Sequence, residues 1–292
     1  MAIADDPAVA RRILRRTVRA AREGAGQTRE DAAAALDWSL SKLVRIETGD
    51  QGVSVTDLRA MLQLYKVTDE DEARELERLA RNSRGSAWWG NYRDVVTKQY
   101  GQMLSYEGHA STVRSFQPLL FPGLLHTDEY GFELRRVRMP DMRARKLVDL
   151  LTERQERLFE STDPPELVFV FGEEALYRMV GGPTVMRRQL RHLLDIRARR
   201  AISIRVVRYS AGAHVGLGGS FTLLGLRDLG EDLLFVEGAS GDIVNRDDDE
   251  MIASFSENFE TLRSQALPEN ETAGLISQRI DEIASQEHGN GS

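Results

Sequence analysis

The amino-terminal part of the chain shows a repeated helical spacing of apolar positions. From residue 8 to residue 23, apolar residues recur every three or four positions, so they share one stripe of a helix while arginines occupy the rest. Three later stretches each begin beside a residue that can cap a helix, namely Thr28, Ser39 and Thr56. The pattern predicts an all-α domain over residues 1–82, with five helices at 8–23, 29–36, 40–48, 55–66 and 69–82.

The pattern changes after residues 83–87, which we interpret as a linker. Residues 88–160 remain mostly helical, and runs of β-branched and aromatic residues bounded by glycine or proline then predict strands at 163–173, 202–207, 220–226 and 232–238. Further helices are predicted at 183–199, 247–265 and 271–284. These elements predict an α+β domain over residues 88–284, a small β-sheet flanked by helices, and a disordered tail at 285–292.

Composition and charge narrow the class of protein. The 292 residues carry a net charge of −7, include no cysteine and contain no apolar run long enough to cross a bilayer. We therefore expect a cytoplasmic protein with no membrane contact. Residues 8–49 carry more arginine and lysine than aspartate and glutamate, whereas the rest of the chain is acidic. We call the predicted domain at 1–82 the head and the predicted domain at 88–284 the body. The basic head is the part suited to nucleic acid.

Residues 28–49, TREDAAAALDWSLSKLVRIETG, have the spacing of a helix-turn-helix. Four alanines at 32–35 allow close helix packing, Leu36, Leu43 and Ile46 supply apolar contacts, and Trp38 is expected to fill the core beside the turn. The alternative is a small packing domain without a DNA role. We favour DNA binding, because short polar, apolar and basic side chains on the second helix can meet base edges and phosphates. The predicted DNA-facing residues are Thr28, Arg29, Ser39, Leu40, Ser41, Lys42, Val44 and Arg45.

This stretch resembles the XRE family of lambda-repressor-like helix-turn-helix proteins. Thr28 matches the family's cap, Asp37-Trp38-Ser39 occupies its turn, and IETG at 46–49 matches its ending. The resemblance implies a structural ion pair between Arg22 and Glu47. The sequence departs from the family pattern at two positions. Arg29 replaces the family's glutamine, and its charge suits contact with a phosphate. Asp37 replaces the family's turn glycine, although glycine is better suited than aspartate to a left-handed backbone.

Residues 88–278 resemble the carboxyl-terminal region of actinobacterial regulators that include WhiJ-like proteins. The matching segments are WWGNY (88–92), SYEGHASTVRSFQPLLFPGLLHTDEY (105–130), RQERL (154–158), FGEEALYRMVGG (171–182), VMRRQLRHLL (185–194) and GGSFTLL (218–224). In that group the regulator often lies beside a gene for a small acidic protein. The resemblance therefore implies a DNA-binding regulator with such a partner.

Three features of the body are candidate ligand or partner sites. The turn FPGLL, with Pro122, either lines a pocket or forms a buried connection, and we favour the connection. Glu107 and Arg114 are predicted on one face of a helix, where an internal ion pair is favoured over a polar-ligand site. Trp88 and Trp89 are expected to seat the body against the head or a second subunit.

Motifs for catalysis or metal binding are weak. AGAHVGLGGS at 211–220 lacks the lysine of a phosphate loop and suggests a hairpin connection, and the five histidines lack metal-ligand spacing. GDIVNRDDDE at 241–250 misses the calcium-loop positions and suggests an acidic turn. We therefore expect no enzyme, metal or cofactor. Our favoured interpretation is a homodimeric regulator that binds operator DNA and senses a small-molecule ligand or a small protein. One alternative is an antitoxin-like module that sequesters a small partner and represses its own operon. The other is an enzyme tethered to DNA.

Overall fold

The computed structural model describes residues 6–49, 51–199, 202–226, 231–238, 241–245 and 248–289. The chain forms two compact units that divide between Asn91 and Tyr92. The boundaries expected from sequence, with a linker at 83–87, stay predictions.

The first unit is helical, as the sequence predicts. Buried side chains from all of its helices, among them Leu14, Leu43, Leu58 and Leu79, form one apolar core. The predicted Thr56 cap is wrong, because the Ser54 hydroxyl accepts the hydrogen bond from the Asp57 N–H and Thr56 lies inside the first turn. The helices are α1 (Pro7–Gly24), α2 (Arg29–Ala35), α3 (Leu40–Thr48), α4 (Val55–Leu64) and α5 (Glu70–Asn82).

The second unit is an α+β domain built on a mixed sheet. Within the described residues its strands are β1 (Thr112–Gln117), β2 (Glu166–Gly172), β3 (Ile202–Val207), β4 (Ser220–Leu226), β5 (Glu231–Glu237) and β6 (Ile243–Asn245). Its helices are α6 (Lys98–Glu107), α7 (Asp128–Arg136), α8 (Asp141–Phe159), α9 (Glu174–Tyr177), α10 (Gly182–Arg199), α11 (Asp249–Gln265) and α12 (Glu269–Gly289). The predicted fold class, with helices flanking a sheet, is confirmed.

The six described strands lie in the order β3-β2-β1-β4-β5-β6. Strands β1, β2 and β3 are parallel, while β4, β5 and β6 continue the sheet in antiparallel pairs. Parallel neighbours need crossover connections, which α7 with α8 and α9 with α10 provide. One face of the sheet packs on α11 through a cluster that includes Phe116, Phe221 and Phe259. The opposite face carries Ser115, Phe169 and Phe235, which line a cavity.

Four local predictions in this unit are wrong. Residues 112–117 form the central strand β1 instead of a helix, because Val113, Ser115 and Phe116 are buried between two neighbouring strands. Residues 211–220 do not close a hairpin, since β3 and β4 are not neighbours and β4 needs β1 and β5 on its two sides. Residues 243–245 form β6 within the expected acidic turn, whose residues 246–247 lie outside the described residues. Residues 285–289 of the expected tail continue α12, while 290–292 lie outside the described residues.

Candidate nucleic-acid interface

Local capping places α2 and α3 at a fixed turn. The Thr28 hydroxyl accepts a hydrogen bond from the Asp31 N–H while the Asp31 carboxylate accepts one from Thr28, which completes a capping box at the start of α2. Ser39 caps α3 in the same way through the Lys42 N–H. Between the helices Asp37 adopts a positive φ of 55°, so the backbone takes the left-handed geometry that the family's glycine suits.

The residues of α3 divide into an inward and an outward side. Leu43, Ile46 and Glu47 are buried in the core of the first unit. The outward side is a mixture of polar, apolar and basic side chains: Ser39, Leu40, Ser41 and Arg45 are exposed and Val44 is half-buried. Leu40 keeps 41% of its area exposed and adds an apolar surface between the two serines. We call Ser39, Leu40, Ser41, Val44 and Arg45 the recognition face.

Lys42 lies beside this face but its charge is engaged within the unit. Its Nζ lies 3.0 Å from Asp57 Oδ1 on α4 and 3.7 Å from the centre of the Trp38 ring. Trp38 in turn packs against the apolar core of the first unit. Lys42 therefore fixes the turn to α4, a role that the sequence analysis missed, and Arg45 is the basic side chain more available to a phosphate.

A buried ion cluster lies beneath the recognition face. Arg22 Nε lies 2.6 Å from Glu47 Oε1, and Arg29 Nε lies 2.7 Å from Glu47 Oε2. The hydrogen bond to Glu47 raises the pKa of Arg22, although burial opposes this. Burial raises the pKa of the neighbouring Tyr65 to about 12, and the Glu47 charge adds to that rise. Arg29, predicted to contact DNA, thus also holds α2 to Glu47.

The arginines of α1 occupy different environments. Arg11 and Arg16 are exposed, whereas Arg12 is only 5% exposed and is part of the packed interior. Arg15 donates a hydrogen bond of 2.7 Å to the Thr48 carbonyl, which ties α1 to the end of α3. The basic run therefore includes structural arginines as well as solvated ones.

The structure separates the candidate ligand or partner residues that follow the predicted linker. Glu107 ends α6 and pairs with Arg154 through two contacts of 2.6 Å, while Arg114 on β1 pairs with Asp232. The predicted Glu107–Arg114 pair is therefore wrong, because α6 ends before β1 begins. Trp88 and Trp89 lie half-buried in a 3-10 turn at Trp88–Tyr92.

The FPGLL turn is both buried and part of a cavity wall. Phe121, Leu124 and Leu125 are almost fully buried. Phe121, Pro122 and Leu124 also line a cavity of about 300 Å³ in the second unit. Its interior includes charged side chains far apart in sequence, Arg135 and Arg154, which pattern reasoning did not connect. No group of histidine, aspartate and glutamate among the described residues is arranged to hold a metal ion.

The geometry of α2, its turn and α3 defines a helix-turn-helix protein, and residues 13–76 match the family model of a helix-turn-helix domain. Residues 100–278 match the family described as a domain of unknown function, DUF5753. That match covers more than half of the chain, so the protein belongs to this family. Neither the comparison with curated proteins nor the comparison with solved structures finds a match. None of the described helices is long and apolar enough to span a membrane.

Proposed function

We propose that the protein is a sequence-specific DNA-binding transcriptional regulator whose helix α3 enters the major groove of an operator. The helix-turn-helix match makes a DNA-binding regulator the function best supported. The single observation that carries the finer proposal is the outward side of α3. Arg45 and two serines can meet phosphates and base edges, and Leu40 offers an apolar contact to thymine methyl groups.

The remaining predicted DNA contacts fit a supporting role. Thr28 is exposed at the start of α2, where helix N-termini meet phosphate well, and Arg29 keeps 38% of its side chain exposed beside it. Lys42 contributes charge near the groove while it remains tied to Asp57. We therefore assign base reading to Ser39, Leu40, Ser41 and Val44, and phosphate contacts to Thr28, Arg29, Lys42 and Arg45.

The carboxyl-terminal domain is proposed to dimerise and to sense a ligand or a small protein. One helix-turn-helix buries too little surface for useful specificity, so such modules commonly bind as dimers on half-sites about one helical turn apart. Membership of the XRE and WhiJ-like groups, and a small acidic partner encoded nearby, are supported by the sequence resemblance alone. A cytoplasmic location, on the nucleoid when DNA is bound, follows from the DNA-binding proposal. Light scattering should give twice the chain mass of 32.9 kDa.

The proposal is tested by finding the operator and then breaking its contact. Chromosome-wide mapping of the bound protein supplies the operator, and titration of that DNA gives the affinity. Arg45→Glu should weaken binding by at least about a hundredfold, because it turns a phosphate attraction into a repulsion. The matched control is Arg74→Glu, which changes another exposed helical arginine, on α5. Equal affinities of the two variants for the operator would contradict the assignment of α3 as the helix that enters the major groove.

A further inference from the structure

The cavity of the second unit lies on the side of the sheet opposite α11 and is partly open to solvent. Its floor is formed by Ser115 on β1, Thr222 on β4 and Phe235 on β5, and its roof by α6, α7, α8 and the FPGLL turn. Its volume of about 300 Å³ lies at the lower end of the range for small-molecule sites. It is large enough for a small organic molecule and larger than a single water needs.

Arg135 of α7 lines this cavity with most of its hydrogen-bonding capacity unused. Its Nη1 donates a 2.8 Å hydrogen bond to the Gly131 carbonyl one turn earlier. Gly131 makes room for this geometry, since a Cβ there would lie 2.8 Å from the same Nη1. Among the described residues no carboxylate lies within ion-pair distance of Arg135. Loss of water around the guanidinium lowers the pKa of Arg135, with the nearby Arg154 cation adding to the effect and Tyr100 and Glu237 opposing it.

The other charged groups of the cavity already have partners. The Arg154 guanidinium is held by both oxygens of Glu107 and donates to the Tyr100 hydroxyl. Glu237 accepts a hydrogen bond from Gln117, and Asp242 accepts one from Thr97, at the more exposed rim. Arg135 is therefore a half-exposed cation of the cavity that makes no direct ion pair among the described residues, and the Glu237 charge acts on it only at a distance.

A second interior group has an unused hydrogen-bonding atom. His126 also lines the cavity and is 5% exposed, and its Nε2–H donates to the Phe121 carbonyl at 2.8 Å. Its Nδ1 is buried with no partner among the described residues. The unused donors of Arg135 point to an anionic ligand head. The His126 Nδ1 can bind only a hydrogen-bond donor, so it does not contact an ionised carboxylate.

The remaining walls are apolar. Val113, Phe169 and Phe235 come from the sheet, and Leu134 and Leu147 come from α7 and α8. Burying a hydrocarbon chain against these side chains is favourable in proportion to the area covered. The lining therefore combines one unpaired cation with a hydrophobic compartment.

We propose that this cavity binds a small organic carboxylate, with the carboxylate on the Arg135 guanidinium and the hydrocarbon part against Val113, Phe169 and Phe235. The planar guanidinium matches a carboxylate with two parallel hydrogen bonds. This inference deepens the proposed function, since it rests on the carboxyl-terminal domain being the sensing part. It names the class of molecule sensed.

The experiment is calorimetry and thermal melting of the full-length protein without DNA. Butanoate, hexanoate, octanoate and decanoate are compared with the alcohols of the same chain lengths. At least one carboxylate should bind and raise Tm, and its alcohol should bind at least about tenfold more weakly, because a charged hydrogen bond is lost. Absence of binding by every acid, or equal binding of acid and alcohol, would overturn the proposal.

Arg135→Met tests the assigned residue, with Arg136→Met as the matched control on the same helix. Arg136 is exposed and pairs with Glu133. Carboxylate affinity should fall about tenfold or more in Arg135→Met and stay unchanged in Arg136→Met. Without ligand, Arg135→Met should melt at or above the wild-type temperature, because an uncompensated charge is removed. If Arg135→Met does not fold, Arg135→Gln takes its place, and an unchanged affinity in the folded variant overturns the assignment.

Operator binding is measured separately, with and without the bound carboxylate. A change in DNA affinity supports the sensing role, whereas binding without any change overturns that role and leaves the DNA-binding proposal intact. Failure of the protein to bind DNA at all would contradict the proposed function and leave the calorimetric result standing. The two proposals can therefore fail independently.

Discussion

Glu47 Oε1 lies 2.6 Å from Arg22 Nε, and the Glu47 side chain has no exposed area. The second carboxylate oxygen accepts a hydrogen bond from Arg29 at the start of α2. One buried carboxylate therefore joins α1, α2 and α3 directly behind the recognition face. The position of α3 depends on a charge that water cannot reach.

We expect Glu47→Gln to lower the free energy of unfolding by about 3 kcal/mol. The change leaves the Arg22 guanidinium buried without its counter-ion, and breaking a buried pair from one side costs about that much. Urea unfolding followed by circular dichroism gives the value. Glu23→Gln is the control, because Glu23 is 51% exposed and pairs at the surface with Arg19 and, at 3.3 Å, with the same Arg22. There the loss should be much smaller, because water screens an exposed ion pair, and equal losses at both sites would contradict a special role for Glu47.

Most of the amino-terminal unit could be predicted because its signals are local. The Thr28 and Ser39 caps and the Gly49 terminus each act on the residues next to them. The sequence does not reveal contacts between side chains on different helices. Lys42 reaches Asp57 on another helix, and nothing in the spacing of α3 indicates that contact.

The carboxyl-terminal unit was harder to predict, for two physical reasons. Strand β1 contains two polar residues whose hydrogen-bond partners lie far away in sequence. Arg114 donates to Asp232, and Ser115 shares a hydrogen bond with Thr222. A strand that buries polar side chains lacks the alternation that marks strands in sequence. The cavity likewise depends on residues brought together by the crossover helices, so Arg135 carried no recognisable sequence signal.

We expect Asp37→Gly to stabilise the protein by about 0.5–1 kcal/mol. Asp37 has a φ of 55°, where a side chain is strained and glycine is not, and the extra freedom of glycine when unfolded offsets part of the gain. Ala34→Gly, on exposed helical backbone three residues earlier, is the control and should destabilise by about 1 kcal/mol. Thermal melting measures the change in stability of each variant relative to the wild type. Destabilisation by Asp37→Gly would mean that the aspartate side chain itself holds the turn.

We expect Arg45 to contribute more to operator binding than Lys42. Among the described residues, the exposed Arg45 side chain donates a hydrogen bond only to the Ser41 carbonyl of its own helix, whereas Lys42 is held by Asp57. Arg45→Met should reduce the slope of log affinity against log salt by about 1, and Lys42→Met by less. Asp57→Asn should release Lys42 and raise the affinity at low salt. An affinity lowered by Asp57→Asn would show that the pair orders the interface instead.

We expect His126 to make the protein less stable in acid. Burial lowers the pKa of His126 to about 3, with the Arg135 cation adding to the effect and the hydrogen bond to the Phe121 carbonyl opposing it. An unfolded histidine titrates near 6.5, so between about pH 6.5 and pH 3 the unfolded chain binds a proton that the folded chain does not. Stability from this group is complete above that window and falls as the pH drops through it, by up to about 1.4 kcal/mol per pH unit.

His126→Gln isolates this effect, because glutamine cannot take up the proton. At about pH 7.5 the variant should be less stable than the wild type, since the hydrogen bond to Phe121 is disturbed. On acidification to about pH 5 the difference between the two proteins should shrink by about 2 kcal/mol, because only the wild type loses the histidine contribution. Other titrating groups are common to both proteins and cancel in the difference. Urea unfolding at the two pH values measures it, and a difference that stays constant would mean that His126 is solvated or protonated in the folded protein.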